Sequence, residues 1–518
     1  MRRLIVVVLA LGLFSINLFA SGNRQQQPGP AASGGKTPLT ISFWWDIQDF
    51  PQGEADAFGK FIEDKFNVDI KLNIVDWGDY TQKFRLWAAS GDLPDTFSGY
   101  PANQSWFPQF VREGFVRPIP YSMISRYPLL KRTMDSINVV TQFRDYYGDY
   151  YYLPRPEAEL GFKISGNQGM YYRKDWATKL GFNERPTDLV TFYNMLEAFV
   201  TKDPDGNGRN DTYGWTTSDL SLIYNAYGAF PERWINGPNG RIIPGWADES
   251  PMVQGLTWLR NAYTNNLLDR EFPGASNNRA AKFGQGIFGV VHGSVQPNGV
   301  NQYVMQQFTN QSDPLRIVDW IYGFSPVRGG TVLRDFLSET SGAVFRAGLS
   351  DAMLHKYLEI WEYLLTDEAK NLTTWGFKDV DYRIETNGTK TSLLNVPLAS
   401  KYPSVQLRHW ANWGAEVDFT EGPASEKPVR DFALAWQVEA NKAAQNGINL
   451  RKVNELASLI VSEERGLFDS QFNPSAALFE IISGSGDITT MYRAMIENAN
   501  RRGLQRAIDA QTALMARR

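Results

Sequence analysis

Two hydrophobic periods alternate between residues 39 and 98, and this constrains the chain more than any other feature. Leu39, Ile41, Phe43 and Trp45 alternate and give a strand ending in the polar Asp46. Phe58, Phe61, Ile62 and Phe66 follow helical spacing. Val68, Ile70, Leu72 and Ile74 alternate again, and Tyr80, Phe84, Trp87 and Ala88 return to helical spacing. After Ser90-Gly91-Asp92 comes a short strand over 96–98. Strand, helix, strand, helix, strand implies a parallel sheet with covering helices, because parallel neighbours need a crossover long enough to hold a helix. At 518 residues the chain exceeds what one ordinary core sustains, so two or more lobes are expected.

The middle of the chain is similar but more helical. Thr187 and Asp188 open a helix with Leu189, Phe192, Leu196 and Phe199 on one face, and Ser350 and Asp351 open another with Leu354, Leu358, Trp361 and Leu365. From about 425 onward the pattern is mostly helical, and no solenoid repeat is present. The C-terminal segment pairs apolar Ile488, Met491, Tyr492, Met495 and Ile496 at helical spacing with Arg493, Arg501, Arg502, Arg506, Arg517 and Arg518. This reads as a helix with a solvated basic face, a membrane-surface role being the alternative. The formal net charge of −4 carries no clustered basic excess, which excludes a nucleic-acid binder.

The N-terminus has the order of a secretory signal over 1–20. Arg2 and Arg3 precede an apolar run from Leu4 to Phe14, and the small Ala20 stands before Ser21. The run is shorter than a membrane-spanning helix needs. Residues 21–38, SGNRQQQPGPAASGGKTP, lack bulky apolar side chains and are expected to be a flexible tether. The chain has no cysteine, which removes disulfides, thiolate zinc sites, cysteine nucleophiles and lipid attachment through a processed cysteine. Its three histidines, His292, His355 and His409, share no metal-ligand spacing.

Two phosphate-loop look-alikes fail on context. Gly29 to Gly35-Lys36-Thr37 has one residue too many for a P-loop and lies in the tether. Gly284-Gln-Gly286-Ile-Phe-Gly289 matches the dinucleotide pattern but precedes a strand-like run instead of following one. The sharpest local motif is Asp203-Pro-Asp205-Gly-Asn207-Gly-Arg209-Asn-Asp211. Oxygen-bearing side chains alternate there, as in a loop that wraps calcium; Asp203, Asp205, Asn207 and Asp211 offer side-chain oxygens and Arg209 its carbonyl. Gly208 fills the sixth position as such a loop requires. Gly214 stands at the twelfth, where the bidentate Glu belongs, so the loop is truncated; a polar turn without metal is the other reading. Aromatic residues reach 14%, with 16 Trp and 23 Tyr. Trp44, Trp45, Tyr100, Tyr171, Tyr172, Trp215, Trp234, Trp375, Trp410 and Trp413 fall mostly at element ends or in turn-rich stretches, where aromatic faces suit sugar rings, although most large aromatics are core. No G-x-S-x-G or H-E-x-x-H occurs, and nothing nominates one carboxylate pair for glycoside hydrolysis.

Several tracts in order resemble one family. They are Trp87–Asp95 (WAASGDLPD), Tyr151–Pro154 (YYLP), Met170–Gly181 (MYYRKDWATKLG), Pro186-Thr187-Asp188 with Thr201–Asp211 (TKDPDGNGRND), Tyr363–Ala369 (YLLTDEA), and Trp375-Gly376 through Val380-Asp381-Tyr382. Together they resemble the extracellular solute-binding proteins of family 1, in the subgroup of large oligosaccharide-binding lipoproteins that includes the alginate-binding proteins. The resemblance runs from about residue 39 to 382 and is densest over 170–211. It implies a two-lobed α/β fold of the periplasmic-binding-protein type, with a hinge and an interlobe cleft. It implies a non-catalytic receptor that captures a carbohydrate and delivers it to an ABC permease and ATPase; the alternatives are a secreted polysaccharide-degrading enzyme or a surface adhesin or chemoreceptor. In the alginate-binding relatives the loop matching Asp203–Asp211 holds a structural calcium, with a Glu where this chain has Thr212. The expected lobes are 39–154 with 286–344, and 155–285 with 345–518. Crossing strands and carboxyl ends of strands face such a cleft, so the candidate ligand residues are Trp45, Asp46, Tyr100, Arg155, Trp215, His292 and Trp375. A monomer, exported and periplasmic or surface-associated, is expected.

Overall fold

A computed structural model describes residues 35–44, 55–75, 80–99, 107–154, 168–217, 219–272, 278–332, 342–411, 422–445 and 452–516. In chain order its strands are β1 (Thr37–Trp44), β2 (Val68–Val75), β3 (Thr96–Gly99), β4 (Leu153–Pro154), β5 (Gln168–Arg173), β6 (Tyr213–Thr216), β7 (Trp234–Asn236), β8 (Ile242–Pro244), β9 (Phe288–Ser294), β10 (Val318–Ile321), β11 (Gly342–Phe345), β12 (Tyr382–Ile384) and β13 (Lys390–Ser392). The expected βαβ series is present: helices Ala57–Phe66 and Tyr80–Ser90 connect β1, β2 and β3, which run parallel. Asp56 starts the first helix by accepting from the N–H groups of Phe58 and Gly59. Asp188 and Ser350 cap the helices Leu189–Thr201 and Asp351–Leu364 in the same way, as the sequence predicts.

Two main sheets form. The first has the order β2-β1-β3-β11-β4 and the second β10-β5-β9-β6. The second is buried on both faces. Met170, Tyr172, Val290 and Ile321 point into one apolar cluster, while Tyr171, Val291, Val318 and Trp320 point into another, as a two-residue strand period demands. The first sheet has its own core, which includes Leu39, Ile41, Phe97, Val344, Leu358, Trp361 and Trp410.

The lobe boundaries differ from expectation. Residues 286–344 were expected to return to the first lobe, but β9 pairs with β5 and β6, and β10 pairs with β5, so both belong to the second sheet. The return comes only at β11. Residues 345–411, expected in the second lobe, continue the first: Leu354, Tyr357, Ala369, Leu372 and Ala411 lie in its core. The helix Lys427–Gln445 then packs on the second sheet. The physical reason is that β9 is apolar on both faces. Such a run announces a buried strand but carries no information about which sheet it joins. The tether is also shorter than expected, since Thr37 and Pro38 already pair with β2 and Lys36 meets Asp64 at 2.6 Å.

Candidate functional site

Strand directions define a carboxyl edge on each main sheet. In the first sheet β1, β2, β3 and β4 share one direction, so Trp44, Val75, Gly99 and Pro154 end at one edge. β11 runs the other way and starts at that edge, with Gly342 opposite Gly99 and Pro154. In the second sheet Thr216, Ser294 and Ile321 end at one edge, where antiparallel β5 begins at Gln168. Residues 155–167 therefore link the carboxyl edge of one sheet to the carboxyl edge of the other. The passage from β10 to β11 does the same in reverse. Both connections run between these two edges, and a crevice outside strand carboxyl ends is where open α/β sheets take ligands.

On the second lobe this edge is polar. His292 lies on β9, buried, with its Nε2 3.5 Å from the Asp219 carboxylate. The side chain of Asp219 is 30% exposed and accepts from the N–H and hydroxyl of Ser221. Arg279 donates from Nε to the His292 carbonyl at 2.9 Å. Ser294 and Asn298 keep partial or full exposure next to them in the chain. Sequence reasoning missed Asp219, Ser294, Arg279 and Asn298; the signal available was their position just after β6, near the end of β9, or facing it.

Of the seven candidate ligand residues, Trp45, Asp46, Tyr100 and Arg155 lie outside the described residues. His292 lies near the carboxyl end of β9 with its side chain buried. Trp215 is not a surface aromatic: it is fully buried on β6, edge-on to Phe192 in the second core. Trp375 is also buried, with its ring centroid 5.9 Å from that of Tyr382. The wider set behaves alike, since Tyr171, Tyr172, Trp234 and Trp410 are all buried. Much of the aromatic excess therefore builds the cores, and its weight as a sugar-binding signal falls accordingly.

The loop Asp203–Asp211 folds around its first carboxylate. Asp203 accepts from the N–H groups of Gly206, Asn207 and Gly208 at 2.9–3.1 Å. Gly206 and Gly208 have φ of 75° and 79°, which a side chain would resist. The Asn207 amide donates to Asp205 at 2.8 Å and to Asp211 at 3.1 Å, so these side chains converge on one point. This much suits a hard cation. Against it, Lys179 already places its ammonium 3.0 Å from the Pro204 carbonyl. Thr212 is buried and donates to the Phe199 carbonyl at 2.6 Å. Gly214 sits in β6 where a Cβ would collide with the Leu267 carbonyl, leaving no room for a twelfth-position Glu. Among the described residues no group of three or more His, Cys, Asp or Glu is placed to hold a metal ion.

The profile of bacterial extracellular solute-binding proteins matches residues 44–313. The chain belongs to this family. Over its length it is similar to FusA, the fructooligosaccharide ABC transporter substrate-binding protein of Streptococcus pneumoniae serotype 4 (strain ATCC BAA-334 / TIGR4). Identity is 26% over 469 residues, covering 84% of this chain and 82% of FusA. Its fold is similar to that of the alginate-binding protein AlgQ2 without calcium ion, with TM-score 0.64, 18% identity and coverage of 93% and 98% of the two chains. An EF-hand mutant of S. pneumoniae FusA in complex with fructo-nystose gives TM-score 0.64 at 18% identity, covering 92% and 98%. The two-lobed solute-binding architecture is thus that of this chain.

In this solute-binding protein the tracts that carried the resemblance serve the scaffold. Asp95 of the WAASGDLPD tract accepts from Arg346 Nε at 2.8 Å, the Tyr357 hydroxyl at 3.0 Å and the Thr40 N–H at 3.1 Å. Arg173 and Asp175 form a forked pair beside Trp176. Thr366 caps the helix Asp367–Trp375. Asp381 has no exposed surface; it accepts from the Phe377 N–H at 2.7 Å, and from Lys401 and Tyr402. Two glycines of the apparent dinucleotide motif serve packing, since a Cβ at Gly289 would strike the Phe199 ring and one at Gly284 would strike Gln307, while Gly286 turns the chain at φ 76°.

Proposed function

We propose that this extracellular solute-binding protein is a non-catalytic receptor that captures an oligosaccharide between its lobes and delivers it to an ABC importer. The observation that carries this reading is the likeness to FusA along 84% of the chain. The polar edge of the second lobe supports it, because carboxylate, hydroxyl, amide and guanidinium groups suit sugar hydroxyls. Trp45, Asp46, Tyr100 and Arg155 follow the carboxyl ends of β1, β3 and β4 in the chain and would complete the site with His292. Export is supported by the charged, apolar, small-residue order of the N-terminus. No helix among the described residues is long and apolar enough to cross a membrane. The working unit is a monomer held at the cell surface or in the periplasm.

Titration calorimetry against a panel of neutral and uronate oligosaccharides tests the reading. Saturable binding without shortened products on prolonged incubation is expected. Silence toward every glycan while a peptide or polyamine binds would overturn it, and shortened products would make the protein an enzyme.

Calcium belongs to the same proposal. Asp203, Asp205, Asn207, Asp211 and the Arg209 carbonyl would hold it, and the ion would stiffen the turn between the helix Leu189–Thr201 and β6. An ion present at about 100 times its dissociation constant adds about 2.7 kcal/mol of stability. Chelation should therefore lower the melting temperature, and Asp205→Asn with Asp211→Asn should erase the difference. A melting curve unmoved by chelator in the native chain would remove calcium from the account.

A further inference from the structure

The segment after the helix Lys427–Gln445 touches both lobes without crossing between them. Residues 452–454 belong to the second lobe: the Asn236 N–H donates to the Lys452 carbonyl at 2.7 Å and the Asn454 N–H to the Trp234 carbonyl at 2.9 Å. Asn454 then caps the short helix Glu455–Leu459. Ala457 lies in the second lobe's core, but Leu459 and Ile460, 2% and 0% exposed, lie in the first lobe's core. The helix Glu463–Asp469 that follows is back in the second, with Phe468 in its core.

Two buried polar side chains of the second lobe hold this turn rigidly. Arg465 Nη1 donates to the Ala457 carbonyl at 2.6 Å and to the Ile460 carbonyl at 3.4 Å. Gln511, fully buried, donates to the same two carbonyls at 3.1 and 2.6 Å and accepts from the Ser462 N–H at 3.1 Å. The receiving surface on the first lobe includes the helix Asn138–Tyr147, which the helix Glu455–Leu459 contacts. That helix leads into β4, the strand before the first crossing. Leu514 and Met515, near the end of the last helix, also lean on the first core.

We propose that the turn Ala457–Val461 is a pivot: it is built by the second lobe, seated in the first, and the lobes rotate about it. A strut fixed at one end by buried hydrogen bonds and at the other by a buried apolar tip resists separation of the lobes at that point. It leaves the carboxyl edges free to open and close. The inference goes beyond the receptor reading and rests only on its two-lobed hinge, not on the ligand's identity.

The test uses the full chain without ligand, so its outcome is separate from that of the glycan titrations. The chain has no cysteine, and Glu113→Cys on the first lobe with Thr257→Cys on the second therefore gives two clean spin-label sites. Electron–electron distance measurements are then made on this background, on Ile460→Ser, and on Ile481→Ser, whose side chain is equally buried but only in the second core. The expected result is a longer and broader distance distribution for Ile460→Ser, with Ile481→Ser matching the parent. Leu459→Ala provides the same comparison if Ile460→Ser does not fold. Overlap of the pivot variant with the parent, or equal broadening in the control, would overturn the proposal.

Discussion

Single residues show why recognisable tracts and functional residues part company here. Asp95 stands at the amino end of β3, opposite the edge where ligand is expected, yet it belongs to one of the most recognisable tracts. Its carboxylate meets Arg346, Tyr357 and Thr40, drawn from three separate elements. Burial and the nearby Asp95 charge push the Tyr357 phenol far above its usual range, so it stays a donor at any working pH. Asp95→Ala removes the charged acceptor these three donors share, leaving the Thr40 N–H to the Tyr357 hydroxyl at 2.8 Å and that hydroxyl to the Thr40 carbonyl at 3.3 Å. It should cost about 1–3 kcal/mol, the worth of hydrogen bonds to a charged group. The urea transition of the first lobe should show a lower midpoint with an unchanged slope, while the glycan dissociation constant should stay at the parent value. A large loss of affinity in the folded variant would mean that Asp95 reaches the ligand.

At the level of elements, local pattern was readable and long-range pairing was not. Strand and helix periods named β1, β2, β3 and their two helices, and Asp188 and Ser350 were legible as caps because capping is a contact within four residues. The partner of β9 was illegible, since Val290 and Val291 look the same whichever sheet receives them. The aromatic excess misled for a related reason: a Trp at the end of an element, such as Trp215, is placed in core or cleft only by tertiary packing. The calcium-type loop is the intermediate case, for its oxygens alternate visibly while the closure of its twelfth position depends on the distant Leu267 carbonyl. Gly214→Glu, which would complete the loop on paper, should instead destabilise the protein by about 1–3 kcal/mol through overpacking against Leu267. Its calcium response in thermal melts should be no larger than the parent's. A melting temperature raised by calcium beyond the parent's would show that β6 can shift to admit the side chain.

For the whole molecule, separate cores matter more than total burial. The first sheet and the helices of 351–411 share one apolar cluster, whereas the second sheet divides its faces between two others. Residues 155–167, the passage from β10 to β11, and the stretch from Ala411 to Gly422 are the covalent links between them. Apart from the seat of Leu459 and Ile460 and the neighbouring Leu514 and Met515, the cores are separate, and largely separate cores unfold as separate units, because breaking one exposes little of the other. Scanning calorimetry of the ligand-free protein should therefore give two overlapping transitions, with a van't Hoff enthalpy below the calorimetric one. A ligand gripped by both lobes binds only while both are folded, so its binding energy counts against the unfolding of either. Glycan at about 100 times its dissociation constant adds about 2.7 kcal/mol to that joint state. It should move the lower transition upward until the two merge. Should the ligand-free scan already be one transition with equal enthalpies, the lobes are coupled through the protein itself, and the seat of Leu459 and Ile460 in the first core is where that coupling would be sought.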